Sequence, residues 1–432
     1  MQVPGPVLLI VFTSTVAAAW YSRPRHYFVP PIEDVVRRLG YDVERHEITT
    51  SDGYILTYHR LPRGRGSSKK KKSPSNRKVL LFNNGILLSS ASVLTSRRDF
   101  AYEFADAGFD VWVGNYRGNM YSRKHKYLDP DRDLKFWDYS LHELGTQDLT
   151  ASIDYILGVT GASRLVYVGI SMGTTMFWVL GAARPQYMNK IEAMVALAPV
   201  ARTTHATFLN SPARCNNARV VVTALERLGY REVLRYNETA ASMLYNGCTS
   251  SWVWRPICLL FINTFEYFTR NNWDNVRLLE SLKYSPAGIA TKVLHHYIQI
   301  AKARTFQQFD YGLEENRRRY HTSGLPPEYD LSNVNCSKIY FVTSDSDLIA
   351  NKQVAGQTDV DLGPTHSALQ SPGDRHRQAS NGLSHHTSSE LPQTELPDVD
   401  NHCIEIMRLK ATATCRLVVV PETILEDGDT NV

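Results

Sequence analysis

A serine flanked by glycines is the clearest chemical signal in this 432-residue chain. Residues 169–173 read G-I-S-M-G, the spacing of a nucleophile elbow, in which a sharp turn between a strand and a helix exposes a reactive serine. The apolar run at 165–168 predicts the strand, and the Ala-, Leu- and aromatic-rich run after the motif predicts the helix. Such a turn leaves room only for small residues two positions before and after Ser171. The pattern therefore favours a nucleophilic Ser171 over a chance pentapeptide.

Backbone amides near this serine are expected to stabilise the negative charge of a tetrahedral intermediate. Residues 79–82 predict a buried strand that runs into Asn84-Gly85, and the loop after such a strand can supply one amide. We assign that amide to Ile86 and the second to Met172, which follows the serine. Because these oxyanion-hole donors are backbone groups, they require no particular side chain.

Two aspartates follow a late predicted strand at 339–342. In hydrolases with a nucleophile elbow, the catalytic triad runs in the chain order Ser, then Asp or Glu, then His. The acid orients the histidine. We expect Asp347 to be the triad acid, with Asp345 as the second choice. Capping of the loop is the alternative role for either residue.

Continuous apolar strands that alternate with helices must position these groups. Runs at 109–113, 165–168 and 191–201 predict buried strands, separated by segments with helical periodicity. This alternation predicts an α/β protein with a mostly parallel central sheet covered by helices on both faces. The serine motif between a strand and a helix is that of the α/β-hydrolase fold, which we therefore expect here. Residues 201–300 lose the strand pattern and hold aromatic, helical sequence. We therefore expect an inserted helical cap or lid there.

The chain divides by composition into six segments. They are a signal peptide at 1–19, the first part of the core at 20–200, the cap or lid at 201–300, the second part of the core with the triad acid at 301–353, a low-complexity insertion at 354–397, and a divergent or truncated end of the core at 398–432. The insertion is rich in Gly, Ser, Thr, Pro, Gln and His, which cannot bury enough surface to fold, so we expect it to be disordered.

The amino-terminal segment predicts entry into the secretory pathway. An apolar run at 6–18 overlaps the small-residue cleavage site Ala17-Ala18-Ala19, and the run is too short for a comfortable membrane span. A membrane anchor is the alternative. The sequons at Asn237 and Asn335 would then be open to glycosylation. The six cysteines suit a secreted or lysosomal enzyme with one or two disulfides, and Cys248 and Cys258 are close enough to close a short loop.

Composition argues against several other classes of protein. The hydrophobic fraction of 43% and the charged fraction of 21% are those of a globular protein, and the formal charge of +5 is modest. The lysine run at 69–72 lies among Gly, Ser, Pro and Asn, which predicts a solvated loop and no nucleic-acid partner. Histidines in the insertion match no standard metal spacing; they are His366, His376, His385 and His386. We expect no metal and no cofactor.

Several ordered stretches of the chain resemble the acid lipase family, which contains the gastric and lysosomal acid lipases and their arthropod relatives. The resemblance covers roughly residues 30–351, with a weaker tail at 398–429. It is carried by GYDVERHEITTSDGYILTYHRLP, FADAGFDVWVGNYRGNMYSRKH, FWDYSLHELGTQDLTASIDYI, YVGISMGTT, ALAPVA, YSPAGIATKVLHHYIQ and FQQFDYG. The resemblance implies hydrolysis of carboxylic esters of lipids, such as acylglycerols or steryl esters, at a lipid–water interface.

The resemblance also implies roles for individual residues. Ser171 matches the family's nucleophile, Asp347 its triad acid, and Ile86 and Met172 its oxyanion elements. The pair Cys248 and Cys258 resembles its disulfide.

The chain departs from the family pattern in three places. Asn84 stands where a histidine is usual, and Ile170 and Met172 replace the usual residues beside the serine, changes that backbone donors tolerate. The third departure removes a chemical group, since the position of the family's catalytic histidine holds Asp427. An aspartate is a weak base at neutral pH. His402 is a fallback candidate for the base. Two alternative functions stay open: a catalytically impaired lipid-binding protein, and a carboxylesterase that acts on small esters.

Overall fold

The computed structural model describes residues 29–65, 77–202, 212–250 and 280–344, positions 354 and 358, and the backbone of 415–419. The predicted signal peptide, the lysine run at 69–72 and the carboxyl-terminal residues 420–432 lie outside the described residues. Nearly all of the predicted insertion does so too. Within the described ranges, none of the helices has the length and apolar character needed to cross a bilayer.

Eight strands form one twisted central sheet. In chain order they are β1 (Glu44–Thr49), β2 (Ile55–Leu61), β3 (Val79–Asn83), β4 (Asp110–Val113), β5 (Leu165–Ile170), β6 (Ile191–Leu197), β9 (Ile339–Ser344) and β10 (Cys415–Val419). Their order across the sheet is β1-β2-β4-β3-β5-β6-β9-β10. Two short strands, β7 (Glu232–Val233) and β8 (Ile289–Ala290), form a separate antiparallel ribbon.

The middle of the sheet is parallel. β4, β3, β5, β6 and β9 pair in parallel, whereas β1 and β2 form an antiparallel hairpin at one edge. Every residue of β3 and β4 is buried, as expected for strands covered on both faces. In β1 only Ile48 is buried and the other residues are exposed or half-buried, which suits an edge strand. The mostly parallel, doubly covered sheet predicted from the sequence is confirmed.

The last strand runs in the opposite direction from its neighbour. β10 pairs antiparallel with β9, so that Cys415 lies opposite Ser344 and Val419 lies opposite Tyr340. β10 therefore ends beside the beginning of β9. The central strand β5 finishes at the end of the sheet where β9 finishes and β10 begins, directly before Ser171.

The described ranges contain nine α-helices. They are α1 (Ile32–Arg38), α2 (Phe100–Asp106), α3 (Leu141–Glu143), α4 (Leu149–Thr160), α5 (Met172–Ala183), α6 (Pro212–Arg227), α7 (Glu238–Ser250), α8 (Thr291–Ala303) and α9 (Leu313–Tyr320). One turn of π-helix, Leu144–Asp148, joins α3 to α4. Short 3₁₀ turns span Ser90–Val93, Leu134–Trp137, Pro185–Lys190 and Leu331–Asn333.

The alternating side chains of the strands build one apolar cluster on each face of the sheet. Leu81, Trp112 and Tyr167 point to the face that α4 and α5 cover. Phe82 and Val168 point to the other face, against α1 and α2. Residues 172–181 of α5 are all buried, so this helix lies inside the protein and not on its surface. The serine motif is therefore held between the two most buried elements of the fold, β5 and α5.

The predicted cap region contains helices, as its sequence indicates. α6 packs against α8, and α7 lies between them in sequence. Cys248 of α7 is disulfide-bonded. Cys258 lies outside the described residues, so the pairing of these two cysteines stays a prediction.

Candidate active site

Ser171 occupies a strained backbone conformation between β5 and α5. Its φ is 50° and its ψ is −112°, a region that residues with a side chain rarely adopt and that costs about 1–3 kcal/mol. Its amide donates to the carbonyl of Leu197 at the end of β6 (2.9 Å), and its side chain is half-buried. The sharp turn predicted from the G-I-S-M-G spacing is therefore present.

The two glycines of the motif are required by close contacts with backbone atoms. A Cβ on Gly169 would lie 2.8–2.9 Å from backbone atoms of Gly173 and Thr174, across the turn itself. A Cβ on Gly173 would overlap the carbonyl oxygen of Asn83 and lie 2.9 Å from its carbonyl carbon. The chain can therefore bring β3, β5 and α5 this close only where these two residues have no side chain.

The loop after β3 lies directly beside the serine. A Cβ on Gly85 would be 3.4 Å from the Cβ of Ser171 and 3.6 Å from the carbonyl oxygen of Ile170. Leu87 has a positive φ of 63°, and its carbonyl accepts from the amide of Ala287 at 2.8 Å. The predicted donor Ile86 thus lies in a loop that approaches Ser171 and that a hydrogen bond from Ala287 holds in place.

Asn84 anchors this loop to the neighbouring strand. Its side chain is buried and its Nδ2 donates to the carbonyl of Gly114, the residue after β4, at 3.0 Å. Its Oδ1 is buried without a hydrogen-bond partner in the described part of the chain. The contact of Asn84 with Gly114 suits a side chain that positions the loop.

Hydrogen bonds connect the first turn of α5 to the residues after β6 and to the helix α8. The Thr174 hydroxyl donates to the carbonyl of Ser171 (2.6 Å) and accepts from the amide of Val200 (2.9 Å). The Thr175 hydroxyl donates to the carbonyl of Val200 (2.7 Å) and accepts from the Tyr297 hydroxyl of α8 (2.9 Å). The position of the serine is thereby coupled to two other elements.

A buried chain of hydrogen bonds lies behind the loop that carries Ile86. His59 of β2 contacts the Ser90 hydroxyl through Nδ1 (2.7 Å) and Glu33 of α1 through Nε2 (3.2 Å). Asn115 accepts from the Ser90 amide (2.8 Å) and donates to the Ser90 hydroxyl (3.0 Å). The hydrogen bond with His59 lowers the pKa of Glu33 to about 2. These hydrogen bonds fix the 3₁₀ turn Ser90–Val93, at which the loop ends.

Arg117 is the centre of a buried ion-pair network that the sequence analysis did not predict. Its guanidinium bonds Asp148 (2.7 Å) and Asp52 (2.6 Å) and lies 3.9 Å over the Tyr54 ring. Burial opposes the charge on Asp52, yet the hydrogen bonds from Arg117 hold the pKa of this carboxyl below its usual range. The π-turn carries Asp148, and Asp148 also accepts from the amide of Arg117 at 3.0 Å. The network connects the β1–β2 turn, the loop after β4 and the start of α4.

The comparisons with known proteins agree with this geometry. The sequence matches a family profile described as a partial alpha/beta-hydrolase lipase region over residues 32–97, and one described as the alpha/beta hydrolase fold over residues 78–234. Lipase 1 of Drosophila melanogaster is 34% identical over 342 residues, which cover 77% of this chain and 71% of that protein. The chain belongs to the acid lipase family of α/β-hydrolases.

Two other relatives extend this result beyond insects. Lipase lipl-3 of Caenorhabditis elegans is 33% identical and covers 80% of this chain and 85% of that protein. Human gastric triacylglycerol lipase is 30% identical and covers 75% of this chain and 80% of that protein. By family the chain is an ester hydrolase, and the α/β-hydrolase fold class predicted from the sequence is confirmed.

The residues considered for the acid and the base of the triad lie outside the described residues. β9 ends at Ser344, directly before the predicted acids Asp345 and Asp347, and neither these residues nor His402 and Asp427 are described. No histidine in the described part of the chain hydrogen-bonds to Ser171. The assignments of Asp347, His402 and Asp427 stay predictions.

Proposed function

We propose that this member of the acid lipase family hydrolyses carboxylic ester bonds of lipids, acylglycerols or steryl esters, with Ser171 as the nucleophile. The observation that carries the proposal is the strained turn at Ser171, held next to the loop of Ile86. Strain of this kind persists where the surrounding structure determines it, and it concentrates at active sites. Names of relatives such as gastric triacylglycerol lipase support the lipid class of substrate.

The proposed reaction has two steps. The Ser171 oxygen attacks the ester carbonyl carbon, and the amides of Ile86 and Met172 donate to the resulting oxyanion. The carbon–oxygen bond to the alcohol breaks, the alcohol leaves with the proton taken from the serine, and an acyl-enzyme remains. Water then attacks the acyl-enzyme and releases the fatty acid and the free serine. Asp347 would orient the base that moves these protons.

The base itself defines a second candidate function. Asp427 stands at the family's histidine position, and loss of a triad histidine costs roughly a millionfold in turnover in other serine hydrolases. Without a substitute such as His402, the chain would bind lipid esters with little or no hydrolysis. A catalytically impaired lipid-binding protein is therefore the alternative to the active lipase.

The proposed compartment is the secretory pathway, with the chain secreted or lysosomal. Both sequon asparagines are exposed, which suits attachment of a glycan. The Oδ1 of Asn237 accepts from the amide of Ala240 (2.9 Å) and so caps the amino terminus of α7. Its Nδ2 remains available for modification. Glycosidase treatment of the chain from a eukaryotic host should lower its mass if these sites are used.

Hydrolysis of emulsified triolein and cholesteryl oleate by the purified full-length chain tests the proposal. We expect release of oleate by the wild-type chain, none by Ser171→Ala, and an unchanged rate for Ser323→Ala, an exposed serine in the turn after α9. His402→Ala identifies the base if it abolishes the activity. A wild-type chain that releases no oleate but binds a fluorescent fatty acyl ester supports the impaired lipid-binding protein and refutes the active lipase.

A further inference from the structure

Residues 287–290, within the predicted cap, contact the loop that carries Ile86. The amide of Ala287 donates to the carbonyl of Leu87 (2.8 Å), the residue after Ile86. The carbonyl of Ala287 accepts from the amide of Met120 (2.8 Å), in the segment after β4. Ala287 therefore joins two loops of the core through its backbone, and its position limits where Ile86 can lie. We call residues 287–290 the bridge segment.

The bridge segment is held in turn by the short ribbon of β7 and β8. Ile289 and Ala290 form β8, are fully buried, and pair with Val233 and Glu232 of β7. An isolated ribbon of two strands is at best marginally stable in water, and this one has only two residues in each strand. The ribbon therefore depends on contacts that hold β7 against the core.

An ion pair between Arg123 and Glu232 supplies such a contact. The Nε and Nη2 of Arg123 donate to the two carboxylate oxygens of Glu232 at 3.1 and 2.9 Å, the paired geometry in which such bonds are strongest. The side chains are only 15% and 12% exposed, so salt and water screen the pair little. Arg123 is fixed from its other side by Asp131 (2.7 Å). A Cβ on Gly288 would lie 3.3 Å from Oε1 of Glu232, so this carboxylate lies against the bridge segment itself.

We propose that Arg123 and Glu232 are positioning residues for the oxyanion-hole loop. Their ion pair holds β7 on the core, and β7 holds the bridge segment. The bridge segment then fixes the carbonyl of Leu87 and, with it, the neighbouring amide of Ile86. The inference rests on the proposed function, because Ile86 serves as an oxyanion donor only if Ser171 is the nucleophile.

Hydrogen exchange of the full-length chain, read by mass spectrometry, tests this coupling without requiring hydrolysis. The variant is Glu232→Gln, and Glu47→Gln is the matched control. Glu47 pairs with Lys124, the residue next to Arg123, at 2.7 Å, but both side chains of that pair are about half exposed. Exposed pairs contribute little, so the control should exchange like the wild-type chain.

The amides of Leu88 and Ala287 report on the loop and on the bridge segment. They donate to the carbonyls of Gly85 (3.2 Å) and Leu87 (2.8 Å). Loss of a charge-assisted bond weakens local protection, so we expect peptides with these amides to exchange about tenfold faster in Glu232→Gln. Peptides from β5 should exchange at the wild-type rate, because the global fold is kept.

Hydrolysis of soluble p-nitrophenyl butyrate separates positioning from a purely structural role. An oxyanion donor acts in the transition state, so Glu232→Gln should lower kcat about tenfold and change KM less than twofold. Arg123→Met should do the same. Arg123→Lys keeps a positive charge opposite Glu232 and should recover a kcat within about threefold of the wild type. Glu47→Gln should leave both constants unchanged.

Unchanged exchange at Leu88 and Ala287 in Glu232→Gln would overturn the inference, whether or not the chain hydrolyses esters. In an active chain, an unchanged kcat or a raised KM at constant kcat would also overturn it. Faster exchange that includes β5 would show a general loss of stability and contradict the positioning role. A wild-type chain without activity refutes the proposed function, whereas faster exchange confined to the loop and the bridge segment still supports the coupling.

Discussion

Replacement of Gly173 by alanine tests the close approach on which the serine turn depends. The new methyl group would overlap the carbonyl oxygen of Asn83 and lie 2.9 Å from its carbonyl carbon and 3.3 Å from the carbonyl oxygen of Asn84. These are backbone atoms of β3 and of the loop after it, so no side-chain rotation relieves the clash. Ordinary contacts of carbon lie near 3.5–4.0 Å, so α5 must retreat from β3 by about 1 Å.

That displacement should affect both stability and reactivity. Overpacking of this size costs about 1–3 kcal/mol of unfolding free energy. It also moves Ser171 away from the amide of Ile86, and a misplacement of about 1 Å can reduce the rate roughly 100-fold. We therefore expect Gly173→Ala to unfold at lower denaturant concentration and to react about 100-fold more slowly with a fluorophosphonate.

Gly158→Ala is the matched control for this variant. Gly158 lies in α4 with a helical backbone, and apart from its chain neighbours and the adjacent turns of its own helix no heavy atom lies within 4 Å of the position its Cβ would take. Alanine is the better helix former, so this change should raise the unfolding free energy by up to about 1 kcal/mol and leave the reactivity unchanged. If Gly173→Ala matched the control in both measurements, the steric account of the turn would be wrong.

Three further predictions concern the groups that hold the site. Arg117→Met should lower the unfolding free energy by about 3–5 kcal/mol in chemical denaturation, because it leaves a buried carboxylate uncompensated, whereas the exposed control Arg132→Met should change it by less than about 0.5 kcal/mol. Thr174→Val should cost about 1–3 kcal/mol and slow the fluorophosphonate reaction, since the Val200 amide loses its acceptor; an unchanged rate would show that this tie does not position the serine. The pKa of Glu33 is lowered to about 2 by its hydrogen bond with His59, so the stability it contributes is present above the ordinary carboxyl pKa of 4.5 and is lost as the pH falls toward 2. Glu33→Gln should flatten the stability profile by about 1 kcal/mol in that window, and a profile identical to the wild type would contradict this contribution.

The parts of the fold that rest on local pattern could be predicted from the sequence. The apolar run of β5, the glycines at 169 and 173 and the apolar helix after them specify the serine turn within nineteen residues, 165–183. The hairpin of β1 and β2 likewise turns at Ser51-Asp52-Gly53, residue types that favour a tight turn between strands. Periodicity and turn chemistry act between near neighbours, so one sequence suffices to find them.

The parts that rest on distant contacts could not be predicted. Arg117 and Asp148 are 31 positions apart, and their contact depends on a π-turn that no periodicity signals. In the sequence, Asp148 is simply a charged residue within a segment of helical periodicity, and nothing marks it as the partner of Arg117. The direction of β10 was equally hidden, because an apolar strand has the same pattern whether it pairs parallel or antiparallel.

Mass spectrometry of the full-length wild-type chain after reaction with a fluorophosphonate tests the central claim most directly. The probe requires a serine that is activated within a folded site. We predict a single adduct, located on Ser171, that is absent from Ser171→Ala and from the chain unfolded in denaturant before the reaction. An unmodified Ser171 in the folded chain, or an adduct on a different serine, would contradict the claim that this residue is the nucleophile of a working lipid esterase.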